Sequence, residues 1–173
     1  LINCASVFEP DEVTALDPAI NRRAMQINAR APALLAQAYL WHARSKAGRH
    51  VVQVTDQKLA NPNPDFFSYT MSKHALDATI AMLAMGAARE DDRIYGLAPG
   101  AILASHDQSP EEAERSHRMN LLGRRTTAEE VADAAVFLAS GHLASGQTLY
   151  VDSGQHLLRQ ERDVIYLARE QAG

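Results

Sequence analysis

The sequence predicts an α/β fold built on a mostly parallel sheet, and three observations predict it. Helical and strand-like segments alternate along the whole chain. The strand-like runs are short and β-branched, as in His50-Val51-Val52-Gln53-Val54-Thr55. The helical runs repeat apolar residues at steps of three and four. No repeat, low-complexity tract or linker divides the chain, so residues 1–173 form one domain.

Taken in order, Leu1-Ile2-Asn3 reads as a buried strand. The sequence starts at Leu1 rather than Met, and natural domains rarely begin within a strand. The chain is therefore expected to be a truncated or cleaved piece of a longer polypeptide. From Ala19 to about Arg44, Ile20, Ala24, Ile27, Ala31, Leu34, Ala38 and Trp41 trace the apolar stripe of an amphipathic helix. The strand from His50 to Thr55 gives way to a loop through Asn61-Pro62-Asn63-Pro64. A second helix, about Phe67 to Ala88, is apolar nearly all round: Leu76, Ile80 and Leu83 on one side, Met71, Ala78, Met82 and Met85 on others. Such a helix is buried on more than one face, which predicts a homodimer or homotetramer. Ile94-Tyr95-Gly96-Leu97 is a further strand, closed by Pro99-Gly100. The charged run Ser109 to Arg118, within a lid at 102–118, reads as surface. Thr126-Thr127-Ala128-Glu129-Glu130 is a helix-capping signal. That helix closes near Gly141, before a last strand at Gln147 to Val151.

Composition excludes several function classes. The 46% hydrophobic and 22% charged content is that of a globular protein, and a net charge of −4 offers no footprint for nucleic acid or an anionic membrane. No apolar run approaches the ~20 residues of a membrane span, and no signal peptide opens the chain. The single cysteine, Cys4, excludes an internal disulfide and fits a reducing compartment, giving a cytoplasmic expectation. The seven histidines show no His-x-x-x-His pairing, so no metal is expected, and His106 and His117 read as solvated lid residues.

The chemistry begins at Tyr69 and Lys73, four apart at a helix start and so on one face. An ammonium beside a phenol favours the phenolate and lowers the tyrosine pKa toward a value useful for proton transfer. By itself this spacing is a weak signal and more often describes a surface lysine and a half-buried tyrosine. Asp56 changes that, since it ends a strand thirteen residues earlier, and ligands of open α/β sheets bind beyond carboxyl ends of strands. Asn28 lies in mid-helix four residues before Pro32. Proline lacks an N–H, so the Asn28 carbonyl loses its helical donor, which fits either a tolerated kink or a station that holds a relay water.

Asn28, Asp56, Tyr69 and Lys73 resemble, in order and spacing, the Asn–Ser–Tyr–Lys tetrad of the short-chain dehydrogenases/reductases. Asn3-Cys4-Ala5-Ser6 is similar to that family's Asn-Asn-Ala-Gly strand end. Ala98-Pro99-Gly100 and Ser145-Gly146-Gln147-Thr148-Leu149-Tyr150-Val151-Asp152-Ser153-Gly154 resemble its later landmarks, so the likeness covers roughly residues 1–158. It implies the carboxy-terminal two-thirds of a Rossmann-type doubly wound parallel sheet. Asp56 in place of serine, Ser6 in place of glycine, and Phe8 two residues later are similar to the pteridine-reductase branch, including dihydromonapterin reductases. In that branch the phenylalanine stacks on the pterin ring.

The resemblance implies an NADPH-dependent reductase of a pterin-type substrate. Asn28, Asp56, Tyr69 and Lys73 would be catalytic. Asn3, Ala5, Ser6, Pro99, Gly100, Ala101 and Ile102, with Tyr69 and Lys73, would hold the cofactor. Ser6, Phe8, Asp56, Phe66 and Tyr69 would hold the substrate. A serine hydroxyl polarises a carbonyl oxygen, whereas a carboxylate suits the N–H donors of a pterin. The chain departs from the family at Cys4, at Ala104 beside Ser105 where a threonine is expected, and at Ser153. It also contains no Gly-x-Gly-x-x-Gly loop, so the missing amino-terminal segment is itself an expected partner. Two rival readings are a reductase of another carbonyl or imine, and a non-catalytic half-fold assembly module.

Overall fold

The computed structural model describes residues 1–105 and 107–171. Its elements, in chain order, begin with β1 (Ile2–Asn3), α1 (Pro18–Ala24), a π-helical segment (Met25–Arg30), α2 (Ala31–His42) and β2 (His50–Val54). They continue with α3 (Phe67–Gly86), β3 (Arg93–Pro99), α4 (Pro110–His117), α5 (Ala128–Ala139), β4 (Thr148–Val151) and α6 (Val164–Glu170). The four strands form one sheet in the order β1-β2-β3-β4, every pairing parallel. All four carboxyl ends therefore lie along one edge, where an open α/β sheet binds its ligands.

Each central strand is buried on both faces, as a parallel sheet requires. Val51 and Ile94 pack on one side with Ala36 of α2 and Ile80 of α3. Their neighbours Val52 and Tyr95 point to the other side, where Leu138 of α5 covers them. The period-2 alternation of a strand sends consecutive residues to opposite faces, and helices cover both. This is the doubly wound arrangement. Helix starts follow local chemistry: Asp17 caps α1, while Ser109 with Glu112 and Thr127 with Glu130 form complete capping boxes at α4 and α5.

Two expectations fail here. The helix expected from Ala19 to Arg44 is interrupted by the π segment, which places Asn28 and Ala29 inside. The buried residues are Ala24, Asn28, Ala29, Pro32 and Ala36, while Leu34 is 52% and Trp41 83% exposed. The wider π turn shifts the helical phase, and it lies immediately before Pro32, whose missing N–H already weakens the α-helical ladder. The predicted stripe consequently faces outward from Ala31 onward. The second failure is His117, which is buried at 2% exposure instead of solvated, with Nδ1 lacking a hydrogen-bond partner among the described residues. It ends α4 with its ring turned inward, and burial lowers its pKa below the ordinary histidine value. His106 lies outside the described residues. No described helix is long and apolar enough to cross a membrane.

Candidate active site

A crevice of about 870 Å³ opens at the carboxyl ends of the strands. Its floor is the end of β2, where Asp56 caps a short 3-10 turn and its Oδ1 accepts the Lys58 amide at 2.8 Å. Asp56 Oδ2 accepts the Tyr69 hydroxyl at 2.6 Å. Tyr69 and Lys73 project from the first turns of α3, whose amino end is held from a distance. Phe66, at φ 53°, offers no cap, and Asp11 accepts the Ser68 amide at 2.9 Å in its place. A non-glycine residue in the left-handed region is uncommon and is held here by aromatic packing on both sides.

The electrostatics differ from the sequence expectation. Burial raises the Asp56 carboxyl above its ordinary range, against the opposing pull of the Tyr69 hydroxyl and the Lys58 amide. Burial also pushes the Tyr69 phenol well above its ordinary value, and the Asp56 charge and hydrogen bond add to that. Lys73 is lowered by burial, against the attraction of Asp56. Its Nζ donates to the Val54 carbonyl at 2.9 Å and stands 5.6 Å from the Tyr69 ring centre. The expected lowering of the phenol by Lys73 is thus not the resting state. Burial of the phenol, with Asp56 at hydrogen-bond distance, sets the direction, and the Lys73 ammonium is turned toward a backbone carbonyl.

The predicted residues divide into two groups. Ser6, Phe8, Asp56, Tyr69 and Lys73 line the crevice, as do Pro99, Gly100, Ala101 and Ile102, with Ala104 and Ser105 beside them. The turn at Gly100 is fixed by Gln155, whose Oε1 accepts the Ala101 amide at 3.0 Å. A Cβ at Gly100 would lie 2.7 Å from that same oxygen. Asn3, Ala5, Asn28 and Phe66 are not on the wall. Asn3 is turned inward, donating to the carbonyl of Pro32 and to Gln53 Oε1. Asn28 holds the loop above the crevice by exchanging two hydrogen bonds with the Val7 backbone, and it donates a third to Ser72. Phe66 stands behind Phe8, stacked at 4.0 Å between ring centres. Lys58, Gln155, Asp163 and Ile165 join the wall without having been singled out. For Lys58, its position two residues after Asp56 was the available signal. Cys4 is exposed beside the crevice. No cluster able to hold a metal ion is found among the described residues.

Comparisons with known proteins bear on this geometry. Residues 1–156 match the family model described as Enoyl-(Acyl carrier protein) reductase. Human "Dehydrogenase/reductase SDR family member 4" is 32% identical over 138 residues, covering 76% of the chain and 50% of the relative. "Pteridine reductase 1" of Leishmania tarentolae is 30% identical over 142 residues, covering 76% and 49%. Among solved structures, FolM Alternative dihydrofolate reductase 1 from Brucella suis, in complex with NADP, superposes with a TM-score of 0.85 at 33% identity. That superposition covers 92% of the chain and 64% of the Brucella protein. The chain thus spans about half the length of the curated relatives it matches.

Proposed function

The chain belongs to the short-chain dehydrogenase/reductase family, and we propose that it forms the catalytic and substrate side of an NADPH-dependent reductase of a pterin-type ring. The observation that carries this reading is the 2.6 Å contact between Tyr69 and a buried carboxylate, Asp56, on the wall that also holds Phe8. A carbonyl substrate presents an oxygen acceptor, and both Asp56 oxygens are themselves placed as acceptors, from the Lys58 amide and the Tyr69 hydroxyl. A pterin edge presents N–H donors, which the carboxylate accepts. The relatives bearing pteridine and dihydrofolate reductase names support the same substrate class.

The residues present fit a nicotinamide cofactor. Lys73 is 3% exposed and lines the crevice, and the bond to Val54 leaves two of its three N–H donors for a ribose. The turn at 99–102 lies on the same wall. When bound, the cofactor supplies the hydride for a C=N bond. Phe8 offers a ring face to the substrate, and its other face is already backed by Phe66. Asp56 orients the substrate's N–H edge. Tyr69 holds the proton to be delivered from Oη, and its raised pKa keeps that proton in place until a partner is bound. Asn28 supports this arrangement through its side chain, which holds the Val7 backbone and Ser72, whose hydroxyl in turn donates to the Tyr69 carbonyl.

Turnover tests the reading. The full-length protein that carries this chain together with its cofactor-binding segment should, with NADPH, reduce a dihydropteridine with a kcat/KM at least about tenfold above that for simple ketones. The reverse order would move the chain to the carbonyl-reductase reading, and binding without turnover to the assembly reading. We also assign a homodimer or homotetramer, supported by Leu34, Trp41, Met82 and Met85 standing exposed on α2 and α3. A stable monomer in sedimentation would refute that assignment.

A further inference from the structure

The crevice has a wall that the family match does not include. That match ends at residue 156, and α6 begins at Val164. Even so, Asp163, Val164 and Ile165 line the same cavity as Asp56 and Tyr69. Ile165 is buried in one apolar cluster with Phe66 and Tyr69, and Phe8 and Tyr166 complete it. The rings of Phe8, Phe66 and Tyr166 form a continuous stack, with centres 4.0 Å and 5.8 Å apart. The ring at the crevice end of this stack is therefore braced by a residue of α6 at the other.

α6 is fastened at both ends. At its start, the buried Lys58 ammonium meets Asp163 Oδ2 at 3.0 Å, and Asp65 accepts the Asp163 amide at 2.8 Å. Asp163 Oδ1 in turn caps the helix through the Ile165 amide. Farther along, Arg115 of α4 donates to the Ala168 carbonyl at 3.1 Å, and Arg169 pairs with Asp107. Lys58 is also the residue whose amide holds Asp56. One short turn thus sets both the carboxylate and the position of the wall. Buried ion pairs are poor sources of net stability but effective at fixing one geometry.

We propose that α6 is a specificity-determining wall of the substrate site, acting through Ile165. Ile165 limits the thickness of the acceptor beside Tyr69, and through Phe66 and Tyr166 the helix holds Phe8 flat. The wall admits planar bicyclic rings and turns away puckered, saturated ones of the same outline. The proposal rests on the reductase reading of the site, but not on the acceptor being a pterin.

The test uses the full-length protein, this chain with its cofactor-binding segment, with NADPH and three acceptors: dihydrobiopterin, the flat ketone 1-tetralone and the puckered ketone trans-1-decalone. Ile165→Ala should raise the kcat/KM ratio of decalone to tetralone about tenfold or more, mainly through KM, since a few methylene groups in an apolar pocket carry discrimination of that order. Ile165→Val should return most of the wild-type ratio. Calorimetric dissociation constants for the same three compounds give the ratio independently of turnover. A ratio unchanged within twofold, or equal losses on all acceptors, overturns the proposal. If wild-type protein ignores dihydrobiopterin but accepts a ketone, the pterin reading fails while the wall is still decided by the ketone ratio. If thermal denaturation shows that Ile165→Ala is misfolded, Ile165→Phe, which thickens the wall, must lower the decalone-to-tetralone ratio or the proposal falls.

Discussion

Replacing Tyr69 by Phe removes one oxygen, and the structure sets what that does. The hydroxyl donates at 2.6 Å to Asp56 Oδ2, while Oδ1 keeps the Lys58 amide at 2.8 Å. Hydrogen bonds to charged groups are worth about 1.5–3 kcal/mol. At about 2–4 °C per kcal/mol for a chain of this size, Tm should fall by about 3–12 °C. The loss should also depend on pH. The Asp56 carboxyl already lies above its ordinary value, and removing the Tyr69 bond, which pulls it down, raises it further. A carboxyl raised on folding stabilises fully below its unfolded value and loses that contribution as pH rises through the folded one. The Tm deficit of Tyr69→Phe should therefore be smaller at about pH 5 than at about pH 8. Turnover should drop about 10²–10⁴-fold, the range for a positioned acid–base group. Thermal denaturation at both pH values and NADPH oxidation measure the two effects. Turnover within tenfold of wild type, with an unshifted and pH-independent Tm, would refute the pairing of Tyr69 and Asp56 as the proton-holding device.

Other outcomes follow from the same contacts. Asp56→Ser should reduce activity on a dihydropteridine more than on a ketone, and equal losses would remove Asp56 from substrate selection. Asp163→Ala strands the buried Lys58 ammonium and should destabilise by about 3–5 kcal/mol in a denaturant titration, with Asp163→Asn costing less because it can still cap α6. Thr127→Ala removes the acceptor of the Glu130 amide and should cost about 1 kcal/mol, whereas Ala128→Ser beside it should be nearly silent.

What is legible in the sequence is local. The capping box at Thr127 and Glu130 announces itself in four letters, and the β2 strand needs only its own β-branched run. Tyr69, Asp56 and Phe8 were findable because the resemblance supplied their register. The phase of the first long helix was not readable, because a single π turn before Pro32 rotates every later residue and no propensity marks it. His117 sits in a charged run, and only the way α4 ends turns its ring inward. The direction of the Tyr69 pKa is not legible in sequence because it depends first on how deeply the phenol is buried and then on its distance from Asp56, thirteen residues away. α6 passed unnoticed for a related reason: seven residues after a charged stretch acquire meaning only by folding back on the crevice.

The all-parallel pairing also dictates an order of assembly. Each of the three pairings joins strands about forty to fifty residues apart, so the sheet cannot zip up from a hairpin and closes slowly. On a ribosome adding about 5–20 residues per second, several seconds separate the emergence of β1 from that of β2. The helix that braces Phe8 leaves the tunnel after all four strands. Translation therefore finishes the scaffold before it finishes the site, and a chain halted near β4 would hold its sheet while leaving the aromatic stack without its far support.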